Sequence, residues 1–404
     1  MTSDGGTIIR KTIESEDYLY SIGIEKLIVS SSASGPFLQR IAPLTEAITY
    51  LIYREPVFQV PAGNTIYEIE VTNAANLRSL VAGTNHHLKR LYLENCLVDR
   101  VPPTLSQMIV LEVLSINQCA MTALRLDVLV NNPTLYVLNL AGNQIRQLFP
   151  ITTPPKQRLV LESIDLSSNQ LERLDMFVFA HISDLKWLDV QNNRIVRFEA
   201  TAPVTYNYFM RLAIASNRIT SFDTRNLTLP ALNAIYMDDN ALTEIPKHWG
   251  WHPNLHYLGF DQNNLKQVDM SVFGQFPNLT GIYISENKIE SIRTSSPVTL
   301  PLIDTLMFEK NQIVSVNFTG CNFPNLYYML LMNNQLTAVP PLFQRFPKTR
   351  ISVEWNPIKC SSMMSFKSKI NESRLYVTTG RTQSECFTTS SIVLDQENRG
   401  CCVA

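Results

Sequence analysis

No run of eighteen apolar residues occurs in the 404, so no segment is built to cross a bilayer as a helix. Charged residues are scarce at 17%, and the net charge of -1 comes without any block of Lys or Arg. The long-range field that draws in nucleic acid or anionic lipid is therefore missing. There is no glycine-rich phosphate loop and no nucleophile elbow, and Ser, His and Asp are scattered without a triad pattern. The start, MTSDGGTIIRK, lacks the basic and then apolar stretch of a secretory signal, which taken alone would place the chain in the cytosol. No cysteine precedes Cys96.

What is present argues the other way on location. Sequons for N-glycosylation stand at Asn226, Asn278, Asn317 and Asn371, and four of the seven cysteines crowd the last 45 residues. Together they favour an extracellular glycoprotein whose signal peptide lies outside this chain. Hydrophobic residues make up 45%, enough for a large core and too much for a disordered chain.

That apolar material recurs with a period. The template Leu-x-x-Leu-x-Leu-x-x-Asn-x-Leu is met by Leu135, Leu138, Leu140, Asn143 and Ile145. It is met again by Leu161, Ile164, Leu166, Asn169 and Leu171, then by Leu185, Leu188, Val190, Asn193 and Ile195. Later asparagines follow at Asn217, Asn240, Asn263, Asn287, Asn311, Asn334 and Asn356, 22 to 24 residues apart. Cys119 and Cys96 hold the same position in the two preceding units, and vaguer copies begin near Ile66, Ile48 and Ile24. The pattern predicts a leucine-rich-repeat solenoid of the α/β class, an arc with a parallel sheet along its inner face and irregular or 3-10 return segments. Prolines such as Pro150, Pro154, Pro155, Pro203 and Pro230 leave those segments little room for regular helix. Residues 1–347 are expected to form the solenoid, degenerate before about 88, and 348–404 the last repeat and a cysteine-bearing C-terminal cap.

Beyond the last repeat, Trp355-Asn-Pro-Ile-Lys-Cys360 leads to Cys386 and then the doublet Cys401-Cys402. This order resembles the cap of the leucine-rich-repeat immune (LRIM) proteins of mosquitoes, and the likeness spans repeats and cap together. The resemblance implies a secreted protein of innate immunity that binds a complement-like thioester protein, some members being disulfide-linked dimers. Two departures stand beside the likeness: no cysteine precedes Cys96, so an N-terminal disulfide cap is either absent or upstream of this chain, and the sequence stops at Cys402-Val-Ala404, as expected of either a coil-less member or a fragment. Adjacent cysteines rarely bond to each other, so Cys401 and Cys402 are expected to have different partners. Either both are bridged within the cap, with Cys360 and Cys386, or one faces outward and links a dimer.

Cys96 and Cys119 lie one repeat apart on the ladder. A disulfide is open to them, but two buried thiols in the asparagine role fit the template without distortion, and that is the expectation. His248, His252 and His256 have helical metal-ligand spacing, yet Gly250 and Pro253 interrupt any helix, so neither a metal nor a cofactor is expected. A solenoid also lacks the deep closed pocket of most enzymes, and no catalysis is expected.

Binding is instead looked for on strand residues between the core leucines, which fall in rows from unit to unit. Tyr236, Tyr257 and Tyr283 come close together there beside Asp238 and Asp261, and Trp187 lies beside Asp165 and Asp189. Exposed aromatics favour a protein interface, and the carboxylates would select a basic partner patch. The plain alternative is that tyrosine is a good strand former. Rival functions are the ectodomain of a signalling receptor, or a matrix protein, for which no basic heparin-like stripe is seen.

Overall fold

The computed structural model describes residues 24–29, 34–386, 388–395 and 397–404. The portion of the expected solenoid before Ile24 lies outside the described residues. Among the described residues there are two compact units, one running up to Ile195 and taking in Glu199–Phe209, the other formed by Val196–Phe198 with Met210–Ala404.

In the first unit, strands Ile24–Val29, Thr45–Tyr50, Glu68–Val71, Arg90–Glu94, Val113–Asn117, Val137–Asn139, Ser163–Asp165 and Trp187–Asp189 pair in sequence order, all parallel. In the second, Arg211–Ala213, Ala234–Tyr236, Tyr257–Gly259, Gly281–Tyr283, Thr305–Met307, Tyr328–Leu330, Arg350–Ser352 and Leu375–Tyr376 do the same. The register never slips, so each template leucine meets its counterpart one repeat on: Ile235 pairs with Leu258, Leu258 with Ile282 and Ile282 with Leu306, all buried. Full burial of one such side chain stabilises by about 1.5–3 kcal/mol. The core is thus distributed evenly along each stack.

The asparagine works because its amide can donate and accept at once. Asn263 Nδ2 donates to the carbonyls of Met237, one repeat back, at 3.0 Å and of Phe260 at 3.1 Å, while Oδ1 accepts the Leu242 N–H at 3.0 Å. Asn143, Asn169 and Asn193 repeat the arrangement in the first unit. The residue before each rung turns the chain in the left-handed region: Ser168, Asn192, Ser216, Asp239, Gln262, Glu286, Lys310, Asn333 and Trp355 all have φ between 52° and 59°. Only Gly142, at φ 68°, meets this demand with a glycine before the asparagine. That turn has no glycine signature in the sequence.

Cysteine cannot copy the asparagine amide, and here the expectation of two free thiols is corrected. Cys96 and Cys119 form a disulfide, their Cα atoms 4.5 Å apart across paired strands. At the parallel strand spacing the two sulfurs fall within bonding reach, so a covalent rung replaces a hydrogen-bonded one.

The return segments carry short strands and 3-10 turns such as Met176–Phe179 and Met270–Gln275. Aspartates tie successive returns together. Asp127 accepts the Thr152 N–H at 2.9 Å, Asp175 those of Phe177 and Thr201 at 3.0 Å, and Asp269 those of Ser271 and Ser295 at 3.1 Å. Hydrogen bonds from Ser271 and Ser295 hold Asp269 down to about 2 against the opposing effect of burial. At the first unit's start, Tyr50, Tyr53 and Phe58 pack edge-on with centroids 5.1–5.7 Å apart.

At the other end, helices Cys360–Ser365 and Lys367–Asn371 precede an antiparallel sheet of Thr379–Gly380, Arg399–Cys402 and Ser390–Val393. Cys360 bonds to Cys402 and Cys386 to Cys401. Both members of the doublet are thereby used within the chain, which removes the thiol that a dimer linked through Cys401 or Cys402 would need. Adjacent residues of an extended strand project to opposite faces, so each cysteine reaches a different element.

Candidate functional site

Tyr236, Tyr257 and Tyr283 stand on successive paired strands. Tyr257 shares its register position with Ala234 and Gly281, and Gly259 shares that of Tyr236 and Tyr283, so small and aromatic residues alternate like a chequerboard. The rings lie down into the space this leaves. Tyr236 and Tyr257 have centroids 4.7 Å apart, and Tyr257 and Tyr283 stack at 4.5 Å with planes 25° apart. The Arg211 guanidinium covers the other end of the column, 4.7 Å from the Tyr236 ring. Aromatic contacts at this range contribute about 0.5–1.5 kcal/mol each beyond area burial.

Not every residue of the expected rows reaches solvent, because the column covers some of them. Ala213, Ala234, Gly259, Gly281 and Ser285 are buried, while the three tyrosines are half-buried. The Tyr257 hydroxyl is pushed up by burial, with help from Asp238 and Asp261. It is therefore a neutral donor at any physiological pH.

Asp238 and Asp261 flank the column, also half-buried. Asp238 Oδ1 accepts the Asp261 N–H at 3.0 Å, and Asp261 Oδ1 accepts the Ser285 N–H at 2.6 Å. Burial pushes both carboxyls up, Asp261 to about 6 against the lowering by its Ser285 bond and with added repulsion from Asp238, Glu309 and Glu286. Among the described residues neither makes an ion pair with a cation. Lys310 is held instead by Glu286 at 2.7 Å.

The first unit's trio behaves differently. Trp187 is 43% exposed, with the Lys186 ammonium 5.9 Å from its ring. Asp165 and Asp189 each turn back to the chain end of their own strand, accepting the N–H of Ser167 at 2.8 Å and of Gln191 at 2.9 Å. Asp189 also accepts the Gln191 side-chain amide at 2.9 Å. Their carboxylates serve the turn as well as the surface.

The sequons are unequal. Asn226, Asn317 and Asn371 are exposed, whereas Asn278 is half-buried with its amide donating to the Pro253 carbonyl at 3.0 Å. Of the three histidines, His252 is buried, 3.0 Å from the Thr224 hydroxyl, and burial pushes its imidazole down to about 4. No group of three metal-ligating side chains occurs among the described residues. No helix of the described residues is long and apolar enough to cross a membrane.

With this geometry in place, the comparisons with known proteins are consistent. The family model described as Leucine rich repeat matches residues 253–313, the stretch that carries Tyr257, Asp261 and Tyr283. The leucine-rich repeat domain of APL1B superposes with a TM-score of 0.57 at 17% identity, over 79% of this chain and 87% of that one. The fold is a leucine-rich-repeat solenoid. The LRIM1/APL1C complex gives a TM-score of 0.54 at 16% identity, covering 85% of this chain and 64% of that one. In sequence, Podocan of Mus musculus is 28% identical over 214 residues, 50% of this chain and 33% of the relative. Tsukushi of Gallus gallus is 31% identical over 185 residues, 44% of this chain and 48% of the relative. The chain thus spans less than half the length of either.

Two features of the site escaped sequence reasoning. The glycines at 259 and 281 decide how the rings lie, and a signal existed: both sit at row positions where neighbouring repeats carry side chains. On the return segments, the aspartates that tie successive repeats had none, since each of them bonds to a residue one repeat away.

Proposed function

We propose that this chain is a secreted protein-interaction solenoid of innate immunity, which carries or regulates a complement-like thioester protein and catalyses nothing. The observation that carries the binding role is the stacked column of Tyr236, Tyr257 and Tyr283 beside Asp238 and Asp261, half-buried and, among the described residues, without a cation paired to the carboxylates. Large rigid aromatic area at low entropic cost is the material of interface hot spots. Trp187, with Asp165 and Asp189, supplies a second and weaker contact.

The partner class rests on the cysteine order of the cap, the resemblance to the mosquito LRIM family, and the fold likeness to the LRIM1/APL1C complex. Residues 348–404 serve as last repeat and cap. Extracellular location rests on the disulfides and the sequons, with glycans at Asn226, Asn317 and Asn371 and less readily at Asn278.

The test is binding of the immobilised, disulfide-intact chain to a recombinant complement-like thioester protein, followed by interferometry. Saturable binding with a Kd of micromolar or tighter supports the proposal. No binding to the native or the cleaved form of that protein contradicts the partner assignment.

A further inference from the structure

Beside the tyrosine column two half-buried carboxylates stand without an ion-paired side chain among the described residues. Asp238 and Asp261 each give one oxygen to a main-chain N–H of the next repeat. The second oxygen of each carboxylate makes no ion pair among the described residues, and burial pushes both carboxyls up. A carboxylate partly withdrawn from water is costly until a cation or further donors reach it. Asp304 and Glu309 add negative potential on the same side, raising Tyr283 and Asp261 respectively.

The nearby cations are already engaged. Lys310 is held by Glu286 at 2.7 Å, and Arg211 lies over Tyr236. Arg211 also shows which cation suits the column, because a planar guanidinium covers a tyrosine face at stacking distance. Arginine combines that stacking with two parallel N–H donors for a carboxylate, whereas the lysine ammonium is a more strongly hydrated point charge. Gly259, at the centre, keeps the approach low. A methyl group there would sit 2.7 Å from Asp238 Oδ1 and 3.1 Å from the Tyr257 ring.

Building on the proposed partner-binding role of this face, we infer that it recognises an arginine side chain on the partner's surface, whose guanidinium pairs with Asp238 and Asp261 while its stem lies along Tyr257 and Tyr283. The occupant is an arginine-bearing protein segment. Lysine-bearing segments bind more weakly, because they cannot stack and chelate together.

A random peptide library displayed on phage and panned on the intact chain tests this, with the D238N/D261N double variant as counter-target. Asparagine keeps the oxygen that accepts the main-chain N–H of the next repeat, so the variant retains both bonds, and its melting temperature verifies this. Enriched peptides should carry arginine, lose at least tenfold in affinity on Arg→Lys or Arg→citrulline replacement, and lose as much on the double variant. Peptides that need Tyr236, Tyr257 and Tyr283 but are indifferent to the carboxylates and to arginine would overturn this inference while leaving the binding face standing. Peptides indifferent to the tyrosines as well would overturn both, and a panning that enriches none would overturn the arginine assignment.

Discussion

The Tyr283 ring lies over Gly281, two residues back on the same strand: a methyl group built on Gly281 would stand 2.5 Å from the ring. The bare backbone at 281 therefore lets Tyr283 lie flat against Tyr257, and the column depends on it.

Gly281→Ala tests that dependence. The close contacts are all with the mobile end of Tyr283, so the ring swings away and the strand stays. The stability change should stay below about 1 kcal/mol, since the overpacking is relieved at the surface. Near-ultraviolet circular dichroism should lose part of its tyrosine signal, and partner affinity should fall several-fold. An unchanged tyrosine spectrum would show that the ring does not need the space.

The covalent rung is open to a direct measurement. Cys96–Cys119 closes 23 residues, for which loop-closure entropy gives about 3 kcal/mol of stabilisation. A C96S/C119S variant should show that loss in urea unfolding. A much smaller loss would mean that the unfolded chain is already restricted there.

Asn287 stands for the ladder. Its Nδ2 donates to the Phe260 carbonyl at 2.9 Å and its Oδ1 accepts the Leu265 N–H at 3.0 Å, both groups buried. Asn287→Ala leaves them unpaired and should cost about 1–3 kcal/mol. Asn192→Ala, at the exposed turn position one residue before a rung, removes no such bond and should cost less, through its left-handed φ of 54° alone. Equal losses at the two sites would contradict the assigned role of the rung.

Stability should respond to pH through Asp261. Its carboxyl is pushed up to about 6 in the folded chain, against about 3.9 when unfolded. Between those values the folded state binds the extra proton, so this group favours folding as pH falls and opposes it at pH 7. His252, pushed down to about 4, acts in the opposite direction over the same window. Comparing Asp261→Asn with the parent cancels His252. The variant should gain stability relative to the parent at pH 7.5, and the gain should shrink to roughly a third by pH 4.5 and vanish only below about pH 3.9, where both states are protonated. A difference independent of pH would remove the claim that Asp261 is strained by burial.

The period of the leucines and asparagines made the repeat array readable, because both the core and the ladder are local consequences of one template. The tyrosines and aspartates of the face could be placed by counting along strands whose register never slips. Their orientation could not, since it depends on Gly259 and Gly281 beneath the rings. The template favours two free thiols at Cys96 and Cys119, and the disulfide between them overturns that reading. A cysteine suits the rung position sterically, but only the distance between neighbouring rungs decides whether two of them bond. The left-handed turn before each rung was unreadable because Ser, Asn, Asp, Gln, Glu, Lys and even Trp355 occupy it.

The central claim is that the tyrosine column is where a protein partner binds. It is tested most directly by the affinity of a Tyr236→Ala, Tyr257→Ala, Tyr283→Ala variant for that partner, measured with its melting temperature. Binding at least tenfold weaker, with a melting temperature shifted only a few degrees, is the expected result. Affinity equal to the parent's in a folded variant would contradict it.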